Sequence, residues 1–255
     1  MSRSRAADAA IALGAMALVF AAAVFAVLSL MHGRAADMPP SPGFRDIGDL
    51  IGGPEDELDA DGFPVVDWAW WKSENPDVIG WITIPGTSVD HPVVQAPAAD
   101  PDYYLYHDAH GGWNWYGAIY LDAECAESGL MGSANAVIQG HHMDDGSMFA
   151  PLACYGDAGW ASAHAEVLLQ TPEEKARLTV LAADVADASS EPKRVLFSDS
   201  RDYLAWAGEA VSNSDVVLDA ETVPERMYTL ATCSYHTWWD ERTLVYATPA
   251  NREGS

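Results

Sequence analysis

Three residue types that could do covalent chemistry together are spread across this chain. Cys233 ends the stretch Arg226-Met-Tyr-Thr-Leu-Ala-Thr-Cys-Ser234. A thiol attacks as its thiolate, which a nearby cation or imidazolium favours. Arg242, a fixed cation, opens Arg242-Thr-Leu-Val-Tyr-Ala247. The best imidazole, His141, lies far upstream in Asn135-Ala-Val-Ile-Gln-Gly-His-His-Met-Asp-Asp-Gly-Ser-Met-Phe149. Taken singly, each has a plain reading. A Cys ending a strand is a small buried hydrophobe, an Arg opening one is a surface charge, and a His after Gly is a turn residue.

The elements that must position these residues read as strands. Met227 to Thr232 is rich in β-formers and alternates in character, Arg242 to Ala247 does the same, and Ala136 to Gln139 is a short buried strand broken by Gly140. The eight residues Ser234 to Glu241 lack alternation and read as a loop. The thiol and the guanidinium then meet at one sheet edge, and rigid strands aim side chains better than loops do.

Order and local sequence resemble the sortase family of cysteine transpeptidases, class B in particular. The family's cysteine motif TLxTC is matched by Thr229-Leu230-Ala231-Thr232-Cys233, and its histidine segment by Gly140-His141 continuing through Met143, Asp145-Gly-Ser-Met-Phe149. Asn75-Pro-Asp-Val-Ile-Gly-Trp-Ile-Thr-Ile-Pro-Gly86 and Tyr103-Tyr-Leu-Tyr-His107 also look like class B sequence, so the likeness runs from about Trp68 to Ala247. Position 142 is His where Asn is more usual, and Ser234-Tyr235 stand where an acid is expected after the cysteine.

The resemblance implies a mainly β fold: a closed barrel of about eight strands, with an N-terminal helix and a helix in the connection before the cysteine strand. It implies a membrane-anchored cysteine transpeptidase, formally a thiol peptidase. Such an enzyme cleaves the C-terminal sorting signal of surface proteins and transfers the acyl group to an amine of peptidoglycan or of a pilin subunit. Cys233 is the nucleophile, His141 the general acid and base, and Arg242 the oxyanion holder. Substrate contacts fall to Thr232, Leu230, Ser147 and Tyr235, with Thr232 turned away to pack and Leu230, like Met227, either core or groove floor. No cofactor or metal is implied. C-x-x-C pairs are absent, and His141-His142 lacks partners at ligand spacing.

The remaining sequence fits that reading. Arg3 and Arg5 precede a charge-free apolar run from Ala9 to Met31, long enough to cross about 30 Å of hydrocarbon as a helix. A cleaved signal peptide has a shorter core, so an uncleaved anchor is expected in residues 1–36, N-terminus cytoplasmic and the rest outside. Residues 37–64, rich in Pro, Gly and Asp, read as a linker, and 65–255 as the catalytic domain. The net charge of −25 argues against nucleic acid as a partner.

Within the domain, Asp67 to Asn75 reads as a helix stopped at Pro76. Val78–Ile84 and Val89–Gln95 read as a hairpin, and Tyr103–His107 as a helical turn with its aromatics packed inward. Gly111–Gly117 is a loop before the strand Ala118–Leu121, and a short helix ends across Met148–Tyr155. Ala165–Gln170 and Ala176–Ala186 form a second hairpin. Ser198–Val211 is a helix capped by Ser198, with Leu204, Ala207 and Val211 on one face. Cys125 and Cys154 either pair or remain two buried thiols, leaving Cys233 as the odd cysteine.

Two other function classes stay open. One is another cell-envelope cysteine enzyme. L,D-transpeptidases carry His close before Cys, and papain-like peptidases place Cys before His; neither matches a histidine far ahead of the cysteine. The other is a sortase-like surface domain that binds without catalysis.

Overall fold

The computed structural model describes residues 57–187, 194–233 and 241–250, with Asp187 and Cys233 described by their backbone alone. The expected anchor in 1–36, most of the linker, Ser234 to Asp240 and with them Tyr235 lie outside the described residues. Among those described, no helix is long and apolar enough to cross a membrane.

The first helix, α1 (Trp68–Glu74), starts where Asp67 accepts a hydrogen bond from Trp70 N–H and stops at Asn75, before Pro76. Trp71 is its buried residue and rests against Trp81. Asn75 is itself buried and donates to the Tyr104 hydroxyl and the Ala109 carbonyl, both at 2.9 Å. These bonds fasten α1 to the segment that follows the first hairpin.

The hairpin is β1 (Val78–Thr83) and β2 (Asp90–Gln95), antiparallel as expected. β2 then pairs in parallel with β3 (Ile119–Leu121), and β3 pairs antiparallel with β4 (Asn135–Gln139). A second hairpin joins β5 (Glu166–Gln170) to β6 (Lys175–Asp187), and β7 (Val216–Val217) adds to the far half of β6. β8 (Met227–Cys233) lies parallel to β4, and β9 (Glu241–Pro249) runs antiparallel between β8 and β6. The sheet order is β5-β1-β2-β3-β4-β8-β9-β6-β7, and pairing of β5 with β6 closes it. Eight of these strands make a closed barrel, which leaves no long unpaired edge.

Alternation along the strands separates two apolar clusters. Ile82, Val93, Ile138, Val167, Leu230 and Val245 belong to the larger one, inside the barrel. Ala182, Ala231, Leu244 and Tyr246 belong to a smaller one, outside, beneath α3 (Ser200–Ser212). A short α2 (Ala158–Ala163), capped by Asp157, was not anticipated by the sequence reading. It follows a 3-10 helix over Ala150–Gly156, where the end of a short helix over Met148–Tyr155 was expected.

Two details of α3 correct the expectations. Its N-cap is Asp199, whose carboxylate accepts from Asp202 N–H, while Ser198 donates through both N–H and hydroxyl to the Asp202 carboxylate. Asp199 takes the extended cap conformation one residue later than expected because Asp202 reaches back over it. The buried stripe is Tyr203, Ala207 and Val211, whereas Leu204 is 41% exposed. Spacing of four places the tyrosine ring on the barrel and turns its neighbour about 100° away. Cys125 is buried and Cys154 exposed, and they form no disulfide with each other.

Candidate active site

Three strand ends meet at one rim of the barrel. Gln139 of β4 lies opposite Ala231 of β8, and Gly140 N–H donates to the Ala231 carbonyl over 3.2 Å. His141 is thus two residues past the last paired position of β4, as Cys233 is two past Ala231. On the other flank Cys233 lies directly opposite Arg242 of β9. Positions 141, 233 and 242 therefore form one row across β4, β8 and β9, with adjacent strands about 4.8 Å apart. Arg242 precedes by two residues Leu244, which packs under α3, so it stands on the same outer face.

Gly140 is what lets β4 stop there. A Cβ at this position would collide with Ile119 Cδ1 and lie 3.0 Å from the Phe149 ring. The chain then folds back over itself: Phe149 N–H donates to the His141 carbonyl at 2.8 Å, and His142 bridges to Met148. Met148 is buried with φ at +56°, the one non-glycine residue in the left-handed region among the described residues. Asp145 pins the turn, its Oδ1 accepting from Ser147 N–H and, at 2.6 Å, from the Ser147 hydroxyl. Those bonds hold the Asp145 carboxyl below its ordinary range, so it is ionised at neutral pH. Its Oδ2 accepts from the Tyr116 hydroxyl, which raises the phenol's pKa in turn.

His141 is held by a segment the sequence reading did not connect to it. Its Nε2 lies 2.8 Å from the Leu105 carbonyl oxygen. A carbonyl oxygen can only accept, so Nε2 carries the hydrogen and Nδ1 is left to exchange a proton. The Tyr106 ring stands 6.4 Å from the imidazole, centroid to centroid. Tyr106 is 46% exposed, which corrects the expectation that all aromatics of this turn pack inward. The turn is a 3-10 helix over Tyr103–Leu105, and its tightness points Tyr104 into the core and leaves Tyr106 outside.

The other residues singled out in the sequence fall as follows. Leu230 is fully buried inside the barrel, the core place of the two left open for it. Thr232 is buried beside its partner Thr243, and neither hydroxyl has a hydrogen-bond partner among the described residues. Ser147 is occupied with Asp145. His107 stacks on Tyr103 at 3.8 Å within its own turn, and His110 lies against Trp71 of α1. A cleft of about 620 Å³ is lined by Cys154, Asp157, Trp160, Val185 and Glu241 among others, and neither His141 nor Arg242 lines it. No group of three His, Cys, Asp or Glu among the described residues is placed to hold a metal ion.

Comparison with known proteins agrees with this architecture. The model of the Sortase domain family matches residues 82–250. Sortase B of Listeria monocytogenes is 29% identical over 175 residues, which cover 67% of this chain and 68% of that protein. The X-ray structure of Clostridium perfringens sortase B superposes with a TM-score of 0.64 at 29% identity, covering 70% of this chain and 97% of that one. A Staphylococcus aureus sortase B–substrate complex gives 0.63 at 26% identity, covering 71% and 82%. With the family match running from the end of β1 through β9 and the same barrel in its relatives, this chain belongs to the sortase family, and the members it resembles are of class B.

Proposed function

We propose that the chain is a class B cysteine transpeptidase in which Cys233 is the nucleophile, His141 the proton carrier and Arg242 the oxyanion holder. The observation that supports this most is the row itself. Residues from three distant segments converge because β8 pairs with β4 on one side and with β9 on the other.

The reaction has two halves. The Cys233 thiol passes its proton to His141 Nδ1, and the resulting thiolate attacks the scissile carbonyl carbon of a sorting-signal peptide and forms a C–S bond. The carbonyl oxygen takes the negative charge, which the Arg242 guanidinium stabilises with a charge-assisted hydrogen bond. Collapse breaks the C–N bond, and the leaving amine takes a proton from His141 Nδ1. An acceptor amine then gives its proton back to Nδ1 and attacks the thioester, which expels the Cys233 thiolate. The acyl group ends on the new amine rather than on water. The acceptor class is an amine of peptidoglycan or of a pilin subunit. Residues 1–36 anchor the enzyme in the cell membrane with the catalytic domain outside.

That the Staphylococcus aureus relative was solved as a substrate complex supports a peptide substrate here. The test uses the full chain in detergent micelles with a library of pentapeptide sorting signals. Mass spectrometry is expected to find an acyl adduct on Cys233 that is lost in Cys233→Ala and reduced in Arg242→Ala. No adduct with any peptide, together with a Cys233 unreactive to alkylation at neutral pH, would favour a non-catalytic binding domain instead.

A further inference from the structure

We propose that the exposed aromatic surface of Tyr106 and Trp115 beside His141, on the loop that also carries Trp113 and is tied to Asp145, docks the acceptor and selects a cationic primary amine. The inference rests on the transpeptidase reading above.

Trp113 and Trp115 are 73% and 63% exposed, and Tyr106 is 46% exposed. Indole rings left this open usually mark a binding surface. The loop that presents them is tied in place. Asp108 Oδ1 accepts from His110 and Gly112 N–H, Asn114 N–H donates to the Tyr106 carbonyl, and Ala118 N–H donates to the Tyr104 carbonyl. Gly117, at φ +61°, approaches so closely that a Cβ would lie 2.5 Å from the Tyr104 oxygen. The rings are thus displayed by a built turn.

The surface is continuous with the row of strand ends, and it joins that row at the histidine. Trp115 meets Tyr106 at 5.9 Å between centroids, and Tyr106 meets His141 at 6.4 Å. In the row order His141, Cys233, Arg242, the printed ring contact is made at the histidine end. An amine approaching there meets the group that must take its proton before it meets the thioester.

Charge fixes the kind of ligand. No Lys or Arg occurs between Lys72 and Lys175, the whole stretch that carries β1 to β5, this loop and His141. Neither this loop nor the segment around His141 supplies a fixed cation. Asp145 is ionised, and it is connected to the loop through the hydroxyl of Tyr116, next in sequence to Trp115. An ammonium group is attracted both by aromatic faces and by a carboxylate, whereas an anionic segment is repelled. A primary amine of ordinary basicity arrives in the charged form at neutral pH; it sheds one proton to water to become the nucleophile, and His141 Nδ1 takes the second as the amide forms.

The test is acyl transfer by the full chain, with a pentapeptide that forms the Cys233 adduct as donor. Triglycine amide and Nα-acetyl-lysine amide are cationic acceptors, and hydroxylamine is the acceptor that is uncharged at neutral pH. Trp115→Ala is expected to raise the KM for the cationic amines roughly five-fold, the size of one cation–aromatic contact, and Asp145→Asn by up to about five-fold, the size of one exposed charge pair, each with kcat little changed. The KM for hydroxylamine should stay within about two-fold, and the wild-type KM for the amines should rise with salt while hydroxylamine's does not. Equal effects on charged and uncharged acceptors, or unchanged KM for all three, would overturn the docking site. Slower adduct formation with peptide alone in Trp115→Ala would reassign the surface to the donor. If the wild type forms no adduct at all, it is the transpeptidase reading that fails.

Discussion

Acidification should weaken this barrel through one buried imidazole. His91 lies on β2 opposite Ile82, 9% exposed, and its Nε2 has no hydrogen-bond partner among the described residues. Burial disfavours the charged ring and pulls its pKa from 6.5 to about 4, against the opposing pull of the Asp90 carboxylate. The unfolded chain titrates near 6.5, so between that value and about 4 it binds more protons than the folded state. Stability from this group is complete above 6.5 and is lost as pH falls toward 4. The full gap corresponds to roughly 3 kcal/mol, and the part lost between about pH 7.5 and about pH 5 to roughly 2 kcal/mol. Urea unfolding followed by tryptophan fluorescence at both pH values, for wild type and His91→Leu, measures it. The variant keeps the apolar volume and removes the titration. The wild type should lose about 2 kcal/mol more than the variant across that interval. Other groups that titrate in that interval are common to both proteins and cancel in the difference. Equal pH dependence in the two proteins would refute the argument.

Two further outcomes follow from the packing around the site. Gly140→Ala must displace Ile119 or Phe149; it should cost about 1–3 kcal/mol in urea unfolding and lower the rate of Cys233 adduct formation through the shifted His141. Thr243→Val removes a buried hydroxyl with no partner among the described residues, so its unfolding free energy should be unchanged or higher by up to about 1 kcal/mol; a loss above that would show that the hydroxyl is bonded.

Much of the barrel was legible before the structure, because its strands alternate and its turns carry Pro, Gly and Asp. Met227–Thr232, Ala136–Gln139 and both hairpins were placed within a residue or two, and Arg242 opens β9 one residue after it starts. The helix before the cysteine strand was also placed, although its cap and its buried face were each one residue off. What composition cannot reveal is which segments meet across the barrel. The Leu105 carbonyl that fixes the His141 tautomer belongs to a 3-10 turn and leaves no side-chain signature. The exposure of Tyr106 was missed for a related reason: aromatics in a short turn read as core unless the direction of the turn is known. The parallel pairing of β4 with β8, which brings His141 to Cys233, joins strands far apart in sequence and has no local signal.

That pairing also sets an order of assembly. Arg242 enters on β9, which completes the ladder on β8 and on β6 at once. A chain made from its N-terminus therefore carries the imidazole first, then the sulfur, and gains the guanidinium only as the barrel shuts. Until that moment position 233 has no arginine opposite it, so the row of three strand ends is complete only when the last strand is in place.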